Sequence, residues 1–232
     1  MNHVMNHQGT PNHQGSQSHG STHHGAPAPA PEPIYYDAFE LQIAPDMLAK
    51  LDMRRSVPMR AFDPAPIPAV ELDRMLKIAA RSPDHGRLVP WRFIVIEGDA
   101  RRVAGERFDA LYAARNPGLD PSKKDIWTLY MLRAPVTVVV VSRTDPASKI
   151  PEWDQMLSAG AAGMNLIHGA TALGYAAQWL LKWPGRDGEA AALVGVQPGE
   201  RVAGFIHLGR QTEKPADRIR PDLATVVTRW TG

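Results

Sequence analysis

The chain has 232 residues, 26 of them Lys or Arg and 24 Asp or Glu, and a formal net charge of +2 excludes nucleic acid or a membrane surface as its main partner. Cysteine is absent, which removes disulfides, thiolate metal sites and cysteine nucleophiles from consideration. The longest apolar run, around Val136 to Val141, is too short to cross a bilayer and the N-terminus lacks a signal-peptide core, so the chain reads as soluble and cytoplasmic.

Residues 1 to 33 hold almost nothing to bury and end in an alternating Ala-Pro stretch, so a disordered His/Gly/Pro-rich tail is expected there. Six of the nine histidines lie in it, at 3, 7, 13, 19, 23 and 24; their irregular spacing fits a low-complexity or expression tail better than a metal site. Residues 34 to 232 then form one folded domain.

Asp46 to Met53 reads as a short helix that delivers the chain to Arg54-Arg55-Ser56. Pro68 suits the first turn of a second helix, whose Leu72, Met75, Leu76 and Ala79 follow the i, i+3, i+4, i+7 stripe. Ser82-Pro83 stops it, because a residue before proline avoids the helical region. A strand is expected over Phe93 to Glu97 and a helix from Ala100 to Arg115, closed by Asn116-Pro117-Gly118. A polar helix near Ser122 to Arg133 precedes Val136 to Ser142, whose valine run fits a central strand buried on both faces. The longest helix is expected from Pro151 to about Leu173, with small residues at Ser158 to Gly163 that permit close approach of another helix, and Gly174 as its C-terminal stop. A strand over Tyr175 to Leu181, a helix over Asp187 to Val194 and a strand over Arg201 to Leu208 complete the set. Without a repeated βαβ rhythm, the expected class is α+β, a mostly antiparallel sheet flanked by helices.

No G-x-G-x-x-G follows a strand, and P-loop, G-x-S-x-G and H-E-x-x-H patterns are missing, so dinucleotide-fold, NTPase, hydrolase and zincin readings lose their support. Chemistry carried by a bound cofactor fits this lack of catalytic motifs. In Arg54-Arg55-Ser56 two guanidinium forks and a hydroxyl could converge on a phosphate, although the same triplet alone also fits a solvated helix end. The loop Ala80-Arg81-Ser82-Pro83-Asp84-His85-Gly86 feeds Pro90-Trp91-Arg92-Phe93. It offers Arg81 and His85 to a polar ligand edge, with a satisfied structural histidine as the plainer role of His85, while Trp91 either walls an aromatic ring or fills the core.

Taken in order, Arg-Arg-Ser, Ala-Arg-Ser-Pro-Asp-His with Pro-Trp-Arg-Phe-Ile-Val-Ile-Glu-Gly, Arg133-Ala134-Pro135, Pro151-Glu152-Trp153, Gly174-Tyr175 to Trp179, Val202 to Gly209 and Arg220-Pro221-Asp222-Leu223 resemble the nitroreductase family, in particular its compact NAD(P)H-dependent members. The resemblance spans essentially everything from Asp46 onward and rests on the ordered co-occurrence of segments. It implies the nitroreductase-like FMN-binding fold and a homodimer with FMN at the subunit interface. It also implies Arg54, Arg55 and Ser56 on the phosphate and ribityl end, Arg81 and His85 adding contacts across the dimer, and Trp179, Leu180 and Leu181 along the ring. Gly169, Ala170, Thr171, Ala172, Leu173 and Gly174 match the stretch assigned to the nicotinamide nucleotide.

The implied activity is ping-pong oxidoreduction with NADPH or NADH as hydride donor and a nitro or quinone-like acceptor, without an obligatory side-chain acid or base and without a metal. Dehalogenation, flavin cleavage, dehydrogenation and non-catalytic flavin binding are the alternatives that such a fold also hosts, and metal delivery by the histidine tail is a third class. Two departures from the family pattern stand out: Val57-Pro58-Met59 reads as an insertion directly after the phosphate serine, and Leu180-Leu181 replaces a more polar pair beside Lys182. Arg218 or Arg220 could reach the phosphate or belong to a solvated tail.

Overall fold

The computed structural model describes residues 43–232, and the tail expected over residues 1–33, with its histidines, lies outside them. In chain order the helices and strands are α1 (Pro45–Met53), α2 (Ala69–Ala79), β1 (Trp91–Glu97), α3 (Ala100–Arg115), α4 (Ile126–Leu132), β2 (Val136–Ser142), α5 (Glu152–Ala172), β3 (Ala176–Leu180), α6 (Trp183–Arg186), α7 (Gly188–Ala192), β4 (Arg201–Gly209) and α8 (Leu223–Val226). No helix among the described residues is long and apolar enough to cross a membrane.

The sheet has the order β1-β2-β4-β3 and every pairing is antiparallel, which bears out the α+β expectation. Alternation along β2 explains its unbroken valines: Val136, Val138 and Val140 join Ile206, Leu208, Met75, Leu166 and Ala170 under α2 and α5. Val139 and Val141 join Phe205, Phe108, Trp127 and Met131 under α3 and α4 on the other face. The predicted stripe of α2 is also present, with Leu72, Met75 and Ala79 buried.

Most boundaries shift by a residue, and three elements differ from the sequence reading for a local reason. β1 starts at Trp91 rather than Phe93 because Trp91 pairs with Ser142, and its indole, only 4% exposed, fills the core beside Ala159 and Ala162. The helix expected over Ser122 to Arg133 begins only at Ile126, after a separate 3-10 turn at Pro121–Lys123. Asp109 of α3 sets that start, its two carboxylate oxygens accepting the N–H groups of Trp127 and Thr128 at 2.9 Å each. The helix expected over Asp187 to Val194 is the shorter α7, begun where the Asp187 side chain accepts the N–H of Ala190, and a separate short helix, α6, precedes it.

On the α4 face, register partners Thr137 and His207 are both fully buried. Thr137 Oγ1 lies 2.9 Å from His207 Nδ1, and the Tyr130 hydroxyl lies 2.8 Å from Nε2. Burial pushes the His207 imidazole down to about 3, so it is neutral in the fold. An unfolded histidine titrates near ~6.5. The contribution is therefore complete above the unfolded value. As pH falls below it, the unfolded chain takes up a proton that the folded chain refuses, and stability declines by about 1.4 kcal/mol per pH unit until the folded value is reached. Urea unfolding of His207→Gln between pH 7 and pH 4 is expected to show a shallower acid decline than the parent chain. Parallel declines would remove His207 as the cause.

Candidate functional site

Arg54 is the C-cap of α1 and leaves the helix on extended backbone. Two residues later Ser56 forms a parallel bridge to Ala177 of β3, and the Val57 N–H donates to the Ala177 carbonyl at 3.2 Å. Val57, 1% exposed, packs with Ala61, Phe62 and Ala134, so the Val57-Pro58-Met59 segment turns the chain down into the core and leaves Ser56 at the sheet edge. Burial of Val57 thereby anchors the triplet.

A cavity of about 640 Å³ opens beside it, within the ~300–1,000 Å³ span of small-molecule sites. Met53, Val57, Ile167, Tyr175 and Ala176 supply apolar wall, and Lys50, Arg54, Arg55 and Lys214 outnumber Asp52 and Asp217 in charge. Lys50 Nζ donates to the Ala172 carbonyl at 3.0 Å, at the C-terminus of α5 where a cation is favoured. Arg55 Nη1 lies 3.3 Å from Asp217 Oδ1, and Arg220 Nη2 donates to the Arg54 carbonyl at 3.2 Å while standing 3.6 Å from the same Asp217 oxygen. Arg54, in contrast, has no carboxylate within 4.0 Å among the described residues. Desolvation, then Arg220 and Arg55, hold its guanidinium below the usual arginine value; desolvation, then Arg54, likewise lower His168. A half-buried guanidinium without a counter-ion, next to two more, is a standing demand for an anion.

β3 borders this cavity. Since the Ala177 carbonyl meets Val57 on the side away from β4, and backbone groups alternate along a strand, the N–H and C=O of Trp179 face the same open edge. The Trp179 side chain goes elsewhere: its Nε1–H donates to the Ala203 carbonyl at 3.1 Å and its ring lies against Gly163 and Gly204. Leu180 is half-buried on the same strand. Leu181 lines a second cavity of about 560 Å³ with Gly185, Val196 and Val202. Of the segment Gly169 to Gly174, Thr171 and Gly174 line the first cavity, whereas Gly169 sits against Ile78 of α2, Ala170 is fully buried, and Ala172 and Leu173 are half-buried.

His85 lies at the other end of α5, whereas Arg81 precedes Ser82, whose hydroxyl accepts from Asn165 Nδ2 at 3.0 Å midway along that helix. Their loop is tied down at several points: Asp84 accepts the N–H groups of Leu88 at 3.1 Å and Val89 at 2.8 Å, and Ser158 donates to the Pro83 carbonyl at 2.7 Å. These bonds hold Val89 at φ 49 and Arg87 at φ 55, conformations that such residues rarely adopt. His85 is 62% exposed, with Nδ1 at 3.0 Å from Asp154 Oδ2 on the first turn of α5. From Asp154 to Thr171 the helix rises about 25 Å at ~1.5 Å per residue, so within one chain the structure does not bring His85 to Arg54.

Beyond the predicted triplet, Lys50, Lys214 and Asp217 line the cavity, Arg220 binds the Arg54 carbonyl and His168 feels the Arg54 charge. Only Arg220 carried a sequence signal, through its place in Arg220-Pro221-Asp222-Leu223. Comparisons with known proteins give the family and the fold. The profile of the Nitroreductase family matches residues 51–210. The Escherichia coli K12 protein "Putative NAD(P)H nitroreductase YdjA" is 33% identical over 186 residues, 79% of this chain and 98% of that protein. Among solved structures, the nitroreductase-like family protein of Bacillus cereus superposes with a TM-score of 0.70 at 19% identity, covering 84% of this chain and all of its own. A nitroreductase with bound FMN from Bacteroides fragilis superposes with a TM-score of 0.61 at 24% identity, covering 81% of this chain and 100% of its own.

Proposed function

Because the chain belongs to the nitroreductase family, we propose that it is an FMN-dependent oxidoreductase that takes a hydride from NADH or NADPH and passes it to a nitro or quinone-like acceptor in the same cleft. The observation that carries this reading is the uncompensated Arg54 guanidinium, flanked by Arg55 and Arg220 at the mouth of a largely apolar cavity. That donor set fits a phosphate monoester at one end and a flat ring at the other. When bound, FMN would supply hydride acceptance and delivery at its N5 atom.

The chain's own residues then have separate tasks. Arg54, Arg55 and Arg220 bind the phosphate by charge-assisted bonds and Ser56 adds a hydroxyl. The outward N–H and C=O of Trp179 bind the polar edge of the ring, which explains how Leu180 and Leu181 can stand where a more polar pair is usual. Met53, Val57 and Ile167 exclude water from the ring's surroundings. Thr171 and Gly174 adjoin the place of the nicotinamide nucleotide, with Gly169 to Leu173 as their support.

Arg81 and His85 enter through a second copy of the chain. The outer side of α5 carries Trp153 and Leu157, 66% and 54% exposed, followed by half-exposed Gly160, Met164 and His168 at helical spacing. Antiparallel packing of two such helices about a twofold axis would carry each loop to the partner's arginine triplet. The test is direct. The purified protein is expected to be yellow, dimeric by light scattering, and bleached by anaerobic NADH or NADPH with recovery on adding a quinone or nitroaromatic. A colourless protein that takes up no FMN would refute the reading.

A further inference from the structure

We propose that Asp217 is a tethered rival of the ligand's phosphate group, the residue that sets how tightly and for how long the arginine cradle holds its anion. The inference rests on the flavin-phosphate reading of that cradle. Asp217 Oδ1 stands 3.3 Å from Arg55 Nη1 and 3.6 Å from Arg220 Nη2, so one carboxylate oxygen serves two of the three guanidinium groups assigned to the phosphate. The same oxygen accepts the Arg218 N–H at 2.7 Å.

Nothing else fixes the side chain, which is 83% exposed and lines the cavity. Its backbone belongs to an irregular stretch between Gln211 and Leu223. One end of that stretch is held by Thr212, whose N–H donates to the Ala61 carbonyl at 2.9 Å, and the other by Arg220 on the Arg54 carbonyl at 3.2 Å. The carboxylate can therefore leave the arginines without breaking a helix or a strand.

Carboxylate and phosphate oxygens suit the same guanidinium fork. A phosphate dianion entering the cradle must either take Arg55 and Arg220 from Asp217 or sit beside a like charge. Both lower its net gain, and the carboxylate's return assists release. Riboflavin, which lacks the phosphate, meets neither cost. A purely structural alternative makes the opposite forecast: if Asp217 positions the two guanidinium groups, losing its charge weakens phosphate binding.

Apo-protein of the parent chain, Asp217→Asn and Asp217→Ser is titrated with FMN and with riboflavin by flavin fluorescence, and FMN release is timed by dilution. Both variants are expected to bind FMN roughly three- to tenfold more tightly, the scale of an exposed ion pair, with slower release and unchanged riboflavin affinity. Weaker or unchanged FMN binding, or equal tightening toward riboflavin, would overturn the proposal. The cradle reading itself is checked separately: a parent chain that binds FMN no better than riboflavin, with Arg54→Ala equal to it, would refute the phosphate assignment whatever the Asp217 variants do.

Discussion

Alanine at position 54 is expected to weaken FMN binding by about 10- to 100-fold while leaving the unfolding midpoint of the flavin-free protein unchanged or slightly raised. The first half follows from losing a charge-assisted contact worth about 1.5–3 kcal/mol, at ~1.4 kcal/mol per tenfold. The second follows from the sign of the local electrostatics. Desolvation and the neighbouring Arg220 and Arg55 disfavour the Arg54 charge in the empty fold, and no carboxylate within reach among the described residues offsets them. On the proposed phosphate role, stability is given up at this point for binding, and FMN is expected to restore it. Thermal melts with and without FMN separate the two effects: the FMN-induced rise in Tm should shrink in Arg54→Ala while the apo midpoint holds. A matching fall in both would make Arg54 a structural residue. Arg55→Ala should differ, because Arg55 already holds Asp217 and its loss frees that carboxylate as well.

The same contrast between local and distant causes decides what the sequence could reveal. The α2 stripe, the β2 valines and the length of α5 were legible because periodicity and run length are properties of a segment. The start of α4 was not, since its cap is Asp109 on another helix, and a capping group supplied from outside leaves no mark in the capped segment. In the site, Arg54, Arg55 and Ser56 could be picked out through the order of the segments behind them. Asp217 was invisible there because its meaning depends on Arg55, 162 residues away. Trp179 shows a third case. Its place in β3 was readable, but the direction of its ring was not, because that depends on two glycines, on α5 and on β4, that make room for it.

Those glycines lead to the largest stability effect expected in the chain. A Cβ at Gly204 would lie 1.9 Å from Trp179 Nε1 and 2.5 Å from Cδ1, far inside any tolerable contact. The ring has little room to back away, because its benzo edge lies so close to the Gly163 backbone that even a Cβ there would stand 2.7 Å from Cη2, and Nε1–H is bound to the Ala203 carbonyl at 3.1 Å. Gly204→Ala must therefore push β3 off β4 or eject the indole. Overpacking commonly costs about 1–3 kcal/mol, and a contact this short belongs at or above the upper end, enough to take a domain of ordinary marginal stability close to unfolding. Since the outward N–H and C=O of Trp179 belong to the proposed ring edge, any Gly204→Ala protein that still folds should also retain less FMN. Trp179→Leu in the same chain removes the clash, so the double variant should be more stable than Gly204→Ala alone even though Trp179→Leu by itself leaves a void. Urea unfolding of the four proteins measures this coupling. Simple additivity of the two single losses would mean that the glycine is there for some reason other than the tryptophan ring.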